Sequence, residues 1–245
     1  MKAMIFAAGR GERLRPLTDN VPKPLLEVRG RPLIVWHILN LVRAGITDMV
    51  INHAWLGHKI EEALGDGSRF GARIVYSPEG DEALETAGGV ARARHLLGED
   101  RFVGIAADAY CPHFDYSQVS AALQDNDVWG NPHGDNKKDM AWLYLVKKPP
   151  YYEQGDFSLN LFSVSNAGER RFTFSGIGVY RMAMFDAIVP GEKVPLGNLL
   201  RAYADRGLVG GEVYRGDWTD VGTVERFEKL NAPLSFDRKK PGLPS

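Results

Sequence analysis

The chain opens on an apolar run, residues 2–7, with the length of a short buried strand, and a glycine-rich turn follows it. Ile34, Ile38 and Leu41/Val42 then recur at helical spacing over 32–44, with Pro32 suited to a first turn and Gly45 to the stop. Residues 47–53 read as a strand, 56–64 as a short helix, 73–76 as a strand, 86–97 as a helix, and 101–107 as a strand ending at Asp108. This alternation predicts a parallel sheet with helices on both faces. Ligands of such sheets sit beyond the carboxyl ends of the strands, where the loop after Ala7, Asn52 and Asp108 all fall. The second half is richer in strand signals, with 140–147, 157–162 and 171–180 extended. A helix over 196–206, a strand near Val213 and a last helix from Thr223 complete the pattern. The polar, turn-rich stretch 129–139 reads as a mobile loop and residues 233–245 as a poorly ordered tail. With no internal repeat and no linker, one mixed α/β domain over 1–232 is expected.

Composition narrows the ligands. Of 245 residues, 44% are hydrophobic and 25% charged, ordinary for a globular chain, and the formal net charge is −1. No general field draws in nucleic acid or an anionic membrane, so neither is an expected partner. An anionic ligand must be gripped by a local cluster of cations and backbone N–H groups. The one cysteine, Cys111, makes neither an internal disulfide nor a thiolate-rich metal site. No apolar run reaches membrane-spanning length and the first is too short for a signal-peptide core, so a soluble cytoplasmic protein is expected.

The turn after the first strand reads Ala7-Ala8-Gly9-Arg10-Gly11-Glu12-Arg13-Leu14-Arg15, with Lys23 following in Pro22-Lys23-Pro24-Leu25. Two glycines two apart let backbone N–H groups face a phosphate, and three arginines add charge. A dinucleotide fingerprint fails here, because its third glycine position is Leu14, and no P-loop sequence occurs. A lone G-x-G of this kind is ordinarily a turn with solvated arginines.

The whole run AAGRGERLRPLTDNVPKPLLEVRGRPLI, however, resembles the signature of the sugar-1-phosphate nucleotidyltransferase family. That resemblance implies a Rossmann-like, mixed but mainly parallel sheet flanked by helices, with a nucleotide half over about 1–110 and a sugar-side half over about 111–232. It implies the reaction of a nucleoside triphosphate with a sugar 1-phosphate to give a nucleotide sugar and pyrophosphate, with Mg²⁺. Ala8, Gly9 and Gly11 would then line the nucleotide phosphates, Arg13 would neutralise the triphosphate, and Lys23 would reach the α-phosphate or the sugar phosphate. The chemistry suits such a loop. A sugar phosphate, with a second pKa of roughly 6, is already an anionic nucleophile. Positioning and cations are needed rather than a general base or a covalent intermediate.

Asp108 closes a strand, and Asp220 lies in Trp218-Thr219-Asp220-Val221-Gly222-Thr223. Either alone reads as a turn or cap carboxylate, and Asp220 as a cap for the last helix. By the resemblance the pair holds Mg²⁺, a usual arrangement of one or two carboxylates completed by substrate phosphates. Ala107 stands where family members commonly carry glycine.

The family reads the base around Tyr76–Glu79 and Leu84–Gly89, so the resemblance assigns nucleotide contacts to Asn52, Glu79, Thr86 and Gly88. Glu85 occupies a position that is glycine in many relatives. Together with residues 51–57 and 65–71, this L-E-T form resembles a bacterial branch that uridylylates N-acetylmuramate 1-phosphate in peptidoglycan recycling, making UTP the favoured nucleotide. His53 and Trp55 read equally well as packing residues. Gly155, Asp156 and Ser175 match sugar-side segments. The family's Glu-Lys-Pro element is missing, leaving Lys147 or Lys148 as substitutes for its phosphate clamp, or as a solvated strand end. Thymidylyl or guanylyl transfer to glucose or mannose 1-phosphate, and a silent nucleotide-sugar sensor, are the alternatives. Retention of Arg13, Lys23, Asp108 and Asp220 together speaks against silence.

Overall fold

The computed structural model describes residues 1–80, 82–121 and 139–233. Residues 129–138 of the expected loop and 234–245 of the expected tail lie outside the described residues. The strands are β1 (Lys2–Phe6), β2 (Glu27–Val28), β3 (Arg31–Pro32), β4 (Asp48–His53), β5 (Arg73–Pro78), β6 (Arg101–Ala106), β7 (Ala109–Tyr110), β8 (Ala141–Lys147), β9 (Phe157–Asn160), β10 (Ser163–Ser165), β11 (Arg171–Arg181), β12 (Val209–Val213) and β13 (Thr219–Asp220). The α-helices are α1 (Leu33–Arg43), α2 (Gly57–Leu64), α3 (Glu85–Leu97), α4 (Leu196–Asp205) and α5 (Val224–Asn231).

One nine-stranded sheet, ordered β5-β4-β1-β6-β11-β8-β12-β10-β9, organises the molecule. The strands β5, β4, β1 and β6 are mutually parallel, β11 and β10 run against them, and β8, β12 and β9 share the direction of β6. β9 also pairs with β11, so the second half of the sheet bends round on itself.

Alternation along β1 shows how the core is divided. Ala3 and Ile5 join the apolar cluster under α1 and α2, whereas Met4 joins the cluster under α3 and α4. Both faces of the strand are thereby buried, and this explains its unbroken apolar run. A third, smaller cluster gathers Leu14, Leu26, Val28, Leu33 and Val221 with Val224, Phe227 and Leu230 of α5, fastening the start of the chain to its last helix.

Several elements differ from the sequence expectation. The extended run 157–162 is a hairpin, with Leu161 in the left-handed region at φ 53 turning β9 back as β10. The strand near Val213 starts earlier, at Val209, because Gly210 and Gly211 are pairing residues. A Cβ on Gly210 would come 2.6 Å from the Trp142 ring, and one on Gly211 2.5 Å from the Leu143 carbonyl oxygen. Asp220 does not cap α5; the Thr223 side chain does, accepting from Arg226 N at 3.3 Å. The two short pairings β2–β3 and β7–β13 have no counterpart in the sequence reading. No helix among the described residues is long and apolar enough to cross a membrane.

Candidate active site

A cavity of about 570 Å³ opens at the carboxyl ends of β1 and β6. Its first wall is the turn after β1, where Ala8, Gly9 and Arg10 face inward. A Cβ on Gly9 would meet nothing within 4 Å, so protein packing does not require this glycine and the space beside it is open. Gly11 lies outside the lining, at φ +72, and an added Cβ would come 3.0 Å from Thr18 and 3.2 Å from Lys23. Its role here is to let the turn close on itself. The turn is also clasped from outside. Arg10 donates to the Thr18 carbonyl (2.8 Å) and pairs with Asp19 (3.2 Å), while its guanidinium stacks 3.9 Å from the centre of the Trp55 ring. Trp55 itself donates to the Thr18 carbonyl and Lys59 to the Asn20 carbonyl. Arg13 sits on the exposed 3-10 turn 12–14, outside the cavity lining.

The centre of the site is an ion pair. Lys23 Nζ lies 2.5 Å from Asp108 Oδ2, with the lysine largely buried and the carboxylate 37% exposed toward the cavity. Register brings Asp220 close to this pair. Asp220 faces Ala109 across the β7–β13 ribbon, and Val221 N donates to the Asp108 carbonyl at 2.8 Å. The Asp220 carboxylate is held by Arg226 (2.9 Å) and by the Tyr151 hydroxyl, which donates at 3.0 Å. Burial, and after it the Asp220 charge, raises the Tyr151 phenol and keeps it a donor. Each carboxylate is therefore balanced by a cation.

The described residues contain no cluster of three or more metal-ligating side chains. Asp108 at the cavity wall and Asp220 just outside its lining, brought near by the β7–β13 pairing, nevertheless fit Mg²⁺, which takes one or two protein carboxylates and completes its oxygen shell from substrate phosphates and water. Asp108 and Asp220 are the residues that would hold it.

A buried histidine supports this centre from below. His37, on the inward stripe of α1 with Ile34, Ile38 and Leu41, is fully buried. Burial drives its pKa down to about 4 against the raising effects of the Ala109 carbonyl and the Asp108 charge. The ring is neutral near pH 7, and its partners fix the tautomer: Nε2–H donates to the Ala109 carbonyl at 2.6 Å, and Nδ1 accepts from Tyr116 Oη at 2.9 Å. α1 thereby holds the residue next to Asp108.

On the side nearest α3, Asn52 and Thr86 line the cavity and Glu79 and Gly88 do not. Asn52 Oδ1 accepts from Ala7 N, and its amide donates to Glu79 Oε1 at 2.6 Å. Glu79 Oε2 accepts from Leu84 N, so both its oxygens tie the site's backbone together. Ala87 and Gly88 N–H donate to the Val194 carbonyl, and a Cβ on Gly88 would stand 2.2 Å from the Glu192 carbonyl oxygen. Glu85, at the helix start, has φ 62, a left-handed conformation that favours glycine.

The far wall comes from the second half of the chain. Asp156 lines it, with Oδ2 accepting from Phe174 N. Gly155 is outside the lining, packed where a Cβ would meet the Phe172 carbonyl at 2.7 Å. Ser175 is also outside and buried, its hydroxyl accepting from Ile177 N within a bulge of β11, while its neighbour Gly176 lines the cavity. Neither Lys147 nor Lys148 lines the cavity, and Lys148 donates to the Tyr152 carbonyl. Arg201 of α4 does line it, and nothing in the sequence reading singled it out. Tyr151, Arg226, His37 and Tyr116 escaped that reading too. Of these only His37 left a signal, as a polar residue on an otherwise apolar helical stripe.

Comparison with known proteins agrees with this geometry. The family described as nucleotidyl transferase matches residues 2–129. The chain is 46% identical over 238 residues to an N-acetylmuramate alpha-1-phosphate uridylyltransferase of Neisseria meningitidis, covering 95% of this chain and 97% of that protein. It is 36% identical to a UTP–glucose-1-phosphate uridylyltransferase of Synechocystis, across 100% of this chain but only 66% of that protein. A Bacillus anthracis crystal structure, described as a candidate glucose-1-phosphate thymidylyltransferase with sucrose bound, superposes with a TM-score of 0.77 at 24% identity, covering 94% of each chain. That likeness speaks to the fold, and it identifies the sheet as Rossmann-like, of the nucleotide-sugar transferase type. A glycine turn, a lysine–aspartate pair and a second aspartate at the carboxyl edge of such a sheet, in a sequence of this similarity, make the chain a member of the nucleotidyl transferase family.

Proposed function

We propose that the protein is a uridylyltransferase that joins UTP to N-acetylmuramate 1-phosphate, giving UDP-N-acetylmuramate and pyrophosphate. The observation that carries this reading is the Lys23–Asp108 pair, set between the open phosphate turn and the wall formed by the second half of the chain. Similarity to the Neisseria enzyme over nearly the whole of both chains supports the choice of base and sugar.

In this reading the triphosphate lies along Ala8 and Gly9 beside Arg10, and the sugar phosphate approaches from the side of Asp156. A non-bridging oxygen of the sugar phosphate attacks the α-phosphorus. The new P–O bond forms as the bond to the β-phosphate breaks, and pyrophosphate leaves. The attacking oxygen carries no proton in the dianion, so no base has to remove one. A covalent thiol route is closed, because Cys111 is fully buried and its pKa is raised by that burial. Lys23 exchanges its Asp108 partner for a phosphate oxygen, and Arg10 stays braced by Trp55 and Asp19. Asp108 and Asp220 would hold Mg²⁺, which when bound would supply positive charge for the phosphates and the departing pyrophosphate. Arg13 meets the triphosphate only where the triphosphate extends past the cavity's edge. We assign the reaction to the cytoplasm, where nucleoside triphosphates are held.

The test crosses four nucleoside triphosphates with several sugar 1-phosphates in the presence of Mg²⁺ and follows pyrophosphate release. Release that requires both substrates and is fastest for UTP with N-acetylmuramate 1-phosphate supports the reading; a different best pair refutes it.

A further inference from the structure

Among the described residues, three cations line the cavity: Arg10, Lys23 and Arg201. Two of them are already matched by carboxylates, Arg10 by Asp19 and Lys23 by Asp108. Among the described residues no carboxylate lies within ion-pair distance of Arg201. Its one side-chain hydrogen bond, from Nη1 to the Asp156 carbonyl at 3.0 Å, brings no negative charge. The guanidinium is nevertheless held in place. Though exposed, it lies 5.1 Å from the centre of the Phe157 ring, while Asn166 donates to the main-chain carbonyl of Arg201 at 2.8 Å and steadies the helix that carries it. An arginine fixed by a neutral carbonyl and an aromatic face keeps its charge and its remaining N–H donors for something else.

Position says what that is. Arg10, from the turn after β1, and Lys23, from the 3-10 turn 23–25 that follows, serve the phosphates, while Arg201 projects from α4 beside Asp156 on the opposite, second-half wall. A ligand spanning both walls therefore meets cations at its two ends. A plain hexosamine 1-phosphate has one anionic group. N-Acetylmuramate 1-phosphate has two, the phosphate and the carboxylate of its ether-linked lactyl arm. We propose that Arg201 forms a carboxylate subsite that selects a sugar 1-phosphate carrying this second anion. The proposal rests on the function proposed above. The guanidinium fork presents parallel N–H donors to the two carboxylate oxygens, a charge-assisted pair that a neutral sugar cannot form. The site therefore favours the acid over the analogue that lacks the carboxylate, which can offer the exposed guanidinium only neutral acceptors in place of a charge-assisted pair.

The test is the ratio of kcat/KM for N-acetylmuramate 1-phosphate to that for N-acetylglucosamine 1-phosphate, its counterpart without the lactyl arm. The wild-type ratio should strongly favour the acid. Arg201→Met should lower the ratio by roughly tenfold to a hundredfold, chiefly through KM for the acid, and Arg201→Lys should recover part of it. An unchanged ratio in Arg201→Met, whether both activities fall together or neither does, overturns the proposal, since a phosphate clamp or a structural role would affect both sugars alike. A second measurement needs no variant: esterifying the lactyl carboxylate should cost the wild-type enzyme a comparable share of its preference, and full retention overturns the proposal. Failure of the function itself shows separately, as a wild-type enzyme that favours the neutral sugar, and it takes this inference with it.

Discussion

His37 makes a quantitative statement about stability. The buried imidazole titrates near 4 in the folded protein and near its ordinary value of 6.5 in the unfolded chain. The unfolded state therefore takes up the proton first. The contribution is fully present above pH 6.5, declines as the pH falls from 6.5 to 4, and changes no further below that. Each pKa unit is worth about 1.4 kcal/mol, so the full interval amounts to about 3 kcal/mol, and about 2 kcal/mol is already lost near pH 5. The carboxylates also titrate in this range, so the informative quantity is a difference between proteins. In His37→Gln an amide takes the place of the imidazole, and it can donate to the Ala109 carbonyl while carrying no titratable proton. Urea unfolding followed by tryptophan fluorescence, at about pH 7 and about pH 5, should show the wild type losing about 2 kcal/mol more than the variant on acidification. Equal losses would mean that His37 does not hold a neutral, buried position beneath Ala109.

Two backbone positions give further expectations. Glu85 is exposed and left-handed, a conformation that costs a residue with a Cβ about 1–2 kcal/mol. Glycine's greater freedom in the unfolded chain offsets about 0.4–1 kcal/mol of any gain, so Glu85→Gly should stabilise by about 0.5–1 kcal/mol in chemical denaturation, and a clear destabilisation would refute the strain. Gly88→Ala should do the reverse. Its Cβ would press on the Glu192 carbonyl oxygen, a backbone atom, so a loss of about 1–3 kcal/mol is expected, together with a raised KM as the segment bearing Pro195 and Leu196 shifts at the cavity wall. Unchanged melting and kinetics would show that the helix and that segment are not in firm contact.

What was legible in the sequence is local. The apolar run of β1, the glycines after it and the periodicity of α1 each announce themselves within a dozen residues, because backbone geometry and one buried face dictate them. Asp108 was visible as a strand-end carboxylate for the same reason. The partners of these groups were not legible. Tyr151 meets Asp220 across 69 positions, and Arg201 meets Asp156 across 45, through a backbone carbonyl that any residue type supplies. Glu79 shows a second limit. The family resemblance implies a nucleotide contact, and the folded chain shows both its oxygens engaged by Asn52 and the Leu84 amide, a duty that no local pattern announces. The true start of β12, through Gly210 and Gly211, was hidden because close approach, rather than strand propensity, selects those glycines.

The proposed reaction is assembled around Asp108, whose carboxylate Lys23 holds at the carboxyl edge of the sheet. The most direct test is the rate of pyrophosphate release by Asp108→Asn with saturating UTP, sugar 1-phosphate and Mg²⁺, alongside a circular dichroism spectrum to establish that the fold is intact. Removing one charge of the proposed Mg²⁺ site while keeping the side chain's shape should lower kcat by at least about a thousandfold. A folded variant whose kcat stays within a few fold of wild type would contradict the assignment of this carboxylate, and with it the placement of the chemistry.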